Sequence, residues 1–286
     1  MKVSVVIPHY NDLASLSLCL AALERQTFAP EYREIIVADN ASPQGMEAVA
    51  EVVANRARLV VVSQKGAGPT RNGGVAASRG EILAFIDSDC VADPQWLAQG
   101  VEMISRYDII GGRVDVLVGD PAQITETEAF ECVFAFDIER YVTRKGFAAT
   151  CNLFCTRRTF DSVGPFRVGI SEDVEWCHRA TQKGFRIEYA PNVLVGHPAR
   201  RTWDELKRKW IRINAETHAL TMQRNWGRLK WVLICLALPF SALAHTPKVI
   251  ASDKLQGIRP RMIALKVLYR LRFWRLRDSI RLLLHT

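Results

Sequence analysis

The feature that most constrains this chain is an alternation in its first hundred residues, where short apolar runs rich in β-branched side chains are separated by segments with helical spacing. Val3 to Ile7, Glu34 to Ala38, Leu59 to Ser63 and Ile82 to Ile86 are near-continuous apolar runs, the pattern of strands covered on both faces. Leu13, Leu16, Leu20 and Leu23 recur at helical spacing behind Asn11 and Asp12, which suit a helix cap. Helices are also predicted over 46–55 and 69–79. Strands joined by helices need right-handed crossovers, so the expected fold class is α/β, a mostly parallel sheet flanked by helices.

In such sheets ligands bind beyond the carboxyl ends of the strands. The polar residues collect there: PHYND after the first strand, DNAS after the second, SQKGAG after the third and DSD after the fourth. From about 107 the pattern is mixed. Strands are predicted at 108–110 and 114–118, a helix over 122–139, a strand over 152–156, a helix over 172–183 and strands around Ile187 and Val193. With no linker in view, residues 1–225 are expected to form one domain with halves 1–110 and 111–225, and 226–286 a helical C-terminal extension.

Charge separates along the same line. The net charge is +8, yet residues 1–199 carry 19 Lys/Arg against 25 Asp/Glu, and the remaining 87 carry 19 against 5. An acidic body with a basic tail implies a binding or catalytic domain attached to something that meets an anionic surface. The seven cysteines are odd in number and include no CxxC pair, as expected of reduced thiols in the cytoplasm. The start, MKVSVVIPHYND, meets Pro8 after a short apolar run and reads as a first strand, not a signal peptide.

Asp87 and Asp89 stand at i and i+2, so on an extended strand end both leave the same face. Two carboxylates that close are unfavourable unless a cation accompanies them, and their oxygens suit Mg²⁺ or Mn²⁺. The open positions of such an ion would take phosphate oxygens. The alternative is a polar turn, with Asp93 capping a helix from Pro94.

Taken together, VSVVIPHYND, EIIVADNAS, GAGPTRNGGVAASRGEILAFIDSD and SEDVEWCHRATQKGFRIEYAPNVLVGH resemble the inverting family 2 glycosyltransferases of GT-A fold. The motifs span residues 3–197 in that family's order. The resemblance implies transfer of a sugar from a nucleoside diphosphate donor, a UDP-sugar favoured, to a hydroxyl acceptor. It places Pro8, Tyr10 and Asn11 against the nucleobase and ribose, with Asp12 the alternative to Asn11, and Asp39 on the base, where a carboxylate accepts the imide N–H of uracil. Arg71, in a glycine-rich turn opening a helix, falls on the diphosphate side. Asp87-Ser88-Asp89 corresponds to the family's DxD, Asp89 holding the divalent cation and Asp87 the ribose or a water.

Glu172 and Asp173 take the place of the family's ED motif. The resemblance makes Asp173 the base that removes the acceptor proton, ionised at its ordinary pKa, and Glu172 its neighbour or an acceptor contact. His197 is either a further metal ligand or a structural histidine. The resemblance also places Asn152 near donor sugar and acceptor, and Trp210 either flanks the acceptor or packs in the core. LKRKW at 206–210 lacks the Gln of the processive synthases, which implies transfer of single sugars.

The run from Trp231 to Ala244 is 14 residues without charge, short of a bilayer span and interrupted by Pro239, so an interfacial, re-entrant or buried segment is expected. The stretch from Arg259 carries eight Lys/Arg against one Asp with aromatics and leucines interleaved, the composition of a helix lying on an anionic membrane. These readings imply a peripheral or monotopic protein on the inner face of the cell membrane, acting on a lipid-linked or cell-surface polysaccharide or glycolipid precursor. Two alternatives carry less. A sugar-1-phosphate nucleotidyltransferase needs a glycine-rich Arg/Lys loop after the first strand, which PHYND is not. A nucleic-acid-binding protein needs positive charge on the binding edge, whereas here the strand-end edge is acidic, so no nucleic-acid partner is expected.

Overall fold

The computed structural model describes residues 2–168, 171–223 and 225–284. Its strands are β1 (Val3–His9), β2 (Arg33–Asp39), β3 (Arg58–Val61), β4 (Ile82–Ile86), β5 (Val91–Ala92), β6 (Ile109–Leu117), β7 (Asn152–Thr156) and β8 (Ile187–Pro198). Its helices are α1 (Leu13–Glu24), α2 (Met46–Val53), α3 (Ala67–Ala77), α4 (Trp96–Ile104), α5 (Glu126–Phe134), α6 (Ile138–Lys145), α7 (Arg157–Val163), α8 (Glu172–Gln182), α9 (Trp203–Met222), α10 (Gly227–Ile250) and α11 (Ile258–Leu284). Two compact units divide the chain, residues 1–115 with 136–197 and residues 116–135 with 198–286. The sequence predicts a single division at 225. The structure divides earlier because α9 packs with the C-terminal helices.

The eight strands form one sheet in the order β3-β2-β1-β4-β7-β6-β8-β5. β1 pairs parallel with β2 and β4, and β2 parallel with β3, as the alternation requires. β7 then runs antiparallel to both β4 and β6, and β5 antiparallel to β8. Every residue of β4, and every residue of β1 except half-buried Pro8, is buried, which is why neither strand has a solvent-facing polar side. α3 lies so close to this sheet that a Cβ on Gly74 would stand 2.6 Å from Val6 Cγ1, and one on Gly73 2.4 Å from Val62 Cγ2. The glycines of GAGPTRNGG thus serve helix-on-sheet packing.

Several expected elements differ. The strands predicted at 108–110 and 114–118 are one strand, β6, and those around 187 and 193 are one strand, β8. The helix predicted over 122–139 breaks into α5 and α6 at Phe136, whose φ of 52° is left-handed. α4 begins at Trp96 rather than Pro94, and the Asp93 carboxylate accepts the Gln95 N–H ahead of it (2.9 Å).

The second unit is built from α5, α9, α10 and α11 around Phe130, Leu206, Val267, Leu268 and Leu271. Glu131 is buried in it and accepts from Arg200 and Lys209, each at 3.0 Å, the pairing a buried carboxylate requires. The charge-free run at 231–244 belongs to a 24-residue helix, α10, which continues through Pro239 and Pro247. Among the described residues it is the one helix long and apolar enough, by length and composition, to cross a membrane.

Candidate active site

The parallel strands end on one edge, and the register sets His9 beside Asp39. His9 Nε2 accepts the Asp12 N–H at 3.3 Å, so Nδ1 carries the proton and donates it to Asp39 Oδ1 at 2.8 Å. Ser42 donates twice to the same carboxylate, through its N–H to Oδ2 (2.9 Å) and its hydroxyl to Oδ1 (2.5 Å). Burial alone would raise the Asp39 pKa, but the Ser42 and His9 hydrogen bonds outweigh it and hold the carboxyl below its ordinary value. A carboxylate offers about four acceptor sites and three are taken, which leaves room for one N–H from outside.

The loops around Asp39 are fixed. Asn11 and Ala41, which follow β1 and β2, sit at φ 58° and 52°. The Asn11 N–H donates to Ser42 Oγ at 2.9 Å. Asn40 donates to the Val62 and Gln64 carbonyls, both at 2.8 Å, and accepts from Gly66 N–H, so the loop after β3 is tied to the end of β2. Lys65 Nζ donates to the Asn40 carbonyl at 2.8 Å and lies 5.0 Å from the centre of the exposed Tyr10 ring. Pro8 stands in β1 opposite Ala38.

Arg71 joins the two acidic motifs. It is buried, and its guanidinium donates to Asp87 Oδ1 at 2.6 Å and to Glu172 Oε1 at 2.8 Å, partners 16 and 101 residues away. Its neighbour Asn72 exchanges two hydrogen bonds with the Phe166 backbone, both 2.9 Å, so α3 clamps the segment leading to α8. Asp173 follows Glu172 in the first turn of α8, and its Oδ1 accepts the Val174 N–H at 2.8 Å. Burial, then the Glu172 charge, push the Asp173 carboxyl up to about 6, against the pull of Val174 N–H and Arg71. This corrects the expectation of an ordinary pKa. The nearby Tyr141 hydroxyl is itself raised, first by burial and further by the Asp137 and Asp173 charges.

Asp89 meets His197 across strand pairing. Val91 pairs with Gly196, and one further step of the same antiparallel register sets Cys90 opposite His197. His197 Nε2 stands 3.4 Å from Asp89 Oδ2, and donor atoms of Asp89, Cys90 and His197 lie within 4.8 Å of one another. A hydrogen bond with Cys151, then burial, raises the Cys90 thiol well above its usual pKa. Asp89 and His197 offer one carboxylate and one imidazole to a divalent cation, a donor set that fits Mn²⁺ and, through the carboxylate, Mg²⁺, ions that a soft sulfur suits poorly. The Phe136 ring packs on His197 at 4.7 Å between centroids.

Two expected residues have their side chains engaged in packing and internal hydrogen bonds. The Asn152 side chain is consumed inside the first unit: Nδ2 donates to the Arg113 and Val193 carbonyls (2.8 and 2.9 Å), and Oδ1 accepts from Trp96 Nε1 (2.9 Å). It is a joint of the sheet and has no side-chain group left for a substrate. Trp210 belongs to the second unit, with the Arg275 guanidinium stacked 4.3 Å from its ring centre. Sequence reasoning missed His9, Ser42 and Lys65. His9 was open to discovery, because strands starting at Val3 and Arg33 end in register; the packing of Phe136 on His197 left no local signal.

A family model described as Glycosyl transferase family 2 matches residues 4–175. Glycosyltransferase AglE of Haloferax volcanii is 32% identical over 246 residues, covering 81% of this chain and 80% of that protein. Among solved structures, the mannosyltransferase PcManGT from Pyrobaculum calidifontis, in complex with GDP-Man and Mn2+, superimposes with a TM-score of 0.62 at 15% identity, over 98% of this chain and 86% of that one. Residues 1–349 of S. aureus TarS give a TM-score of 0.55 at 15% identity, over 96% and 72%. At such identities the two structures speak for the fold, the GT-A type that the motifs imply.

Proposed function

The chain belongs to glycosyltransferase family 2, and from that premise we propose that it moves a sugar, with inversion, from a nucleoside diphosphate sugar to a hydroxyl of a lipid-linked or cell-surface saccharide precursor at the inner face of the cell membrane. One observation carries the reading: buried Arg71 bonds both Asp87 and Glu172, so the DxD strand end and the start of α8 share one constellation.

In this reading Asp39 uses its spare acceptor site for a nucleobase N–H, while Tyr10, Asn11 and Pro8 border the base and ribose. Both uracil and guanine present such an N–H; a uridine nucleotide is the first candidate, and GDP-mannose the second because PcManGT is seen with it. Asp89 and His197 would hold the divalent cation, which when bound offsets the charge growing on the departing diphosphate. Asp87 is held toward the donor by Arg71. Asp173 takes the acceptor proton as the oxygen attacks opposite the leaving group. A carboxyl at about 6 is ionised at neutral pH yet basic enough to receive that proton. The basic second unit meets the membrane on which such an acceptor resides.

The deciding experiment is thermal stabilisation of the full chain by a panel of nucleotide sugars with Mn²⁺. One or more should stabilise it, with the effect lost in EDTA and in Asp89→Ala. Stabilisation by none, or undiminished stabilisation in both controls, overturns the assignment.

A further inference from the structure

α10 presents two apolar faces. Trp231, Cys235, Leu238, Ala242 and Val249 are buried in the second unit. Leu229, Leu233, Leu236, Phe240 and Leu243, alternating by four and three residues, are 55–71% exposed. That spacing keeps them in one narrow stripe roughly opposite the buried set, since two residues on a helix turn through about 200°. Between Lys230 and Lys248 the helix carries no Lys, Arg, Asp or Glu.

The neighbour of α10 decides what this stripe can face. Trp231 Nε1 donates to the Ser279 carbonyl at 2.9 Å, and Thr246 and Tyr269 hydroxyls stand 3.1 Å apart. α11 therefore runs antiparallel beside the middle of α10, placing Arg270, Arg272, Arg275 and Arg277 along it. If α10 crossed the bilayer, the exposed Arg270 and Arg277 would be carried into the hydrocarbon, where charged side chains are strongly disfavoured. An anionic lipid surface avoids that difficulty: it takes the leucines and Phe240 into the acyl boundary and the exposed Arg228, Lys230 and Lys248, which flank the stripe, at its headgroups.

We infer that α10 lies in the plane of an anionic membrane, its Leu229–Leu243 stripe inserted side-on and the exposed Arg270 and Arg277 of α11 at headgroup level, so that it neither spans the bilayer nor pairs with a second copy. This rests on the membrane association proposed above and specifies its geometry.

The test uses the full chain and vesicles of phosphatidylcholine with and without phosphatidylglycerol. Leu233→Cys, Leu236→Cys, Phe240→Cys and Leu243→Cys, each carrying a fluorophore quenched by lipids of known depth, should report one shallow depth. A depth that grades from one end of the helix to the other overturns the in-plane geometry while leaving membrane association standing. Leu236→Glu with Phe240→Glu should lower partitioning onto the phosphatidylglycerol vesicles by roughly tenfold or more, with stabilisation by nucleotide sugar unchanged as the control for folding. Unchanged partitioning refutes the stripe. No binding of the unaltered protein to either vesicle removes the membrane reading itself, and a dimer in light scattering that both glutamates dissolve assigns the stripe to a second copy instead.

Discussion

Asp39 and Asp173 are the same side chain in two settings, and they titrate in opposite directions. Burial alone would raise both. Asp39 ends a strand where Ser42 and His9 supply three hydrogen bonds, so its charge is favoured. Asp173 begins a helix beside Glu172 and not far from Asp87, with one backbone N–H in return, so its charge is resisted. The contrast separates the proposed acceptor for a ligand from the proposed base: burial, the largest cause at Asp173, is reinforced there by like charge, whereas at Asp39 three donors outweigh it.

The largest test of this contrast is Asp173→Asn. Loss of a general base is expected to lower kcat by roughly 10²–10⁴-fold, with donor affinity retained in a nucleotide-sugar titration; retained turnover breaks the assignment. Next is Arg71→Met, which strands Asp87 and Glu172 beside Asp173 without their shared cation. Breaking such a buried ionic link costs about 3–5 kcal/mol, read as a lower denaturation midpoint, and the acid limb of kcat should move to higher pH. Third, Asp39→Asn should weaken donor binding by about tenfold, on the order of one hydrogen bond to a charged group, with kcat at saturation nearly unchanged.

The pH profile sharpens the comparison further. Activity should fall on acidification with an apparent pKa of about 6, and Glu172→Gln, which removes a like charge, should shift that limb downward. Stability carries the matching signs. The raised Asp173 pKa contributes a penalty that grows as pH rises from about 4 through about 6, so Asp173→Asn should stabilise the protein at neutral pH by on the order of 1–2 kcal/mol. The depressed Asp39 pKa contributes stability present above the unfolded value and lost as pH falls through the folded one. Asp39→Asn should therefore lower the neutral-pH melting temperature while Asp173→Asn raises it; shifts of equal sign would remove the distinction.

Much of this arrangement was legible before any coordinates. The four apolar runs became β1 to β4, and parallel pairing then obliges their polar successors to share an edge. Asp87 and Asp89 stood out as paired carboxylates at that edge, while Asp39 and the Glu172-Asp173 pair were pointed to by the family resemblance. Asn152 misled because an asparagine at a strand start reads equally as a ligand contact or an internal joint; only the positions of Trp96, Arg113 and Val193 distinguish them. The run at 231–244 was measured by its charge-free length, yet helix packing against α11 carries α10 across two prolines to 24 residues.

What the residue order determined by itself was periodicity: which segments are strands, where they stop, and which carboxylates stand at their ends, because these depend on neighbours within a few positions. Tertiary structure alone decided which charge meets which. Arg71 reaches Glu172 across 101 residues, His197 comes to Asp89 through an antiparallel register, and each aspartate's affinity for its proton is a sum over partners that only folding brings near. Electrostatic interaction depends on distance in space, and distance along the chain does not encode it.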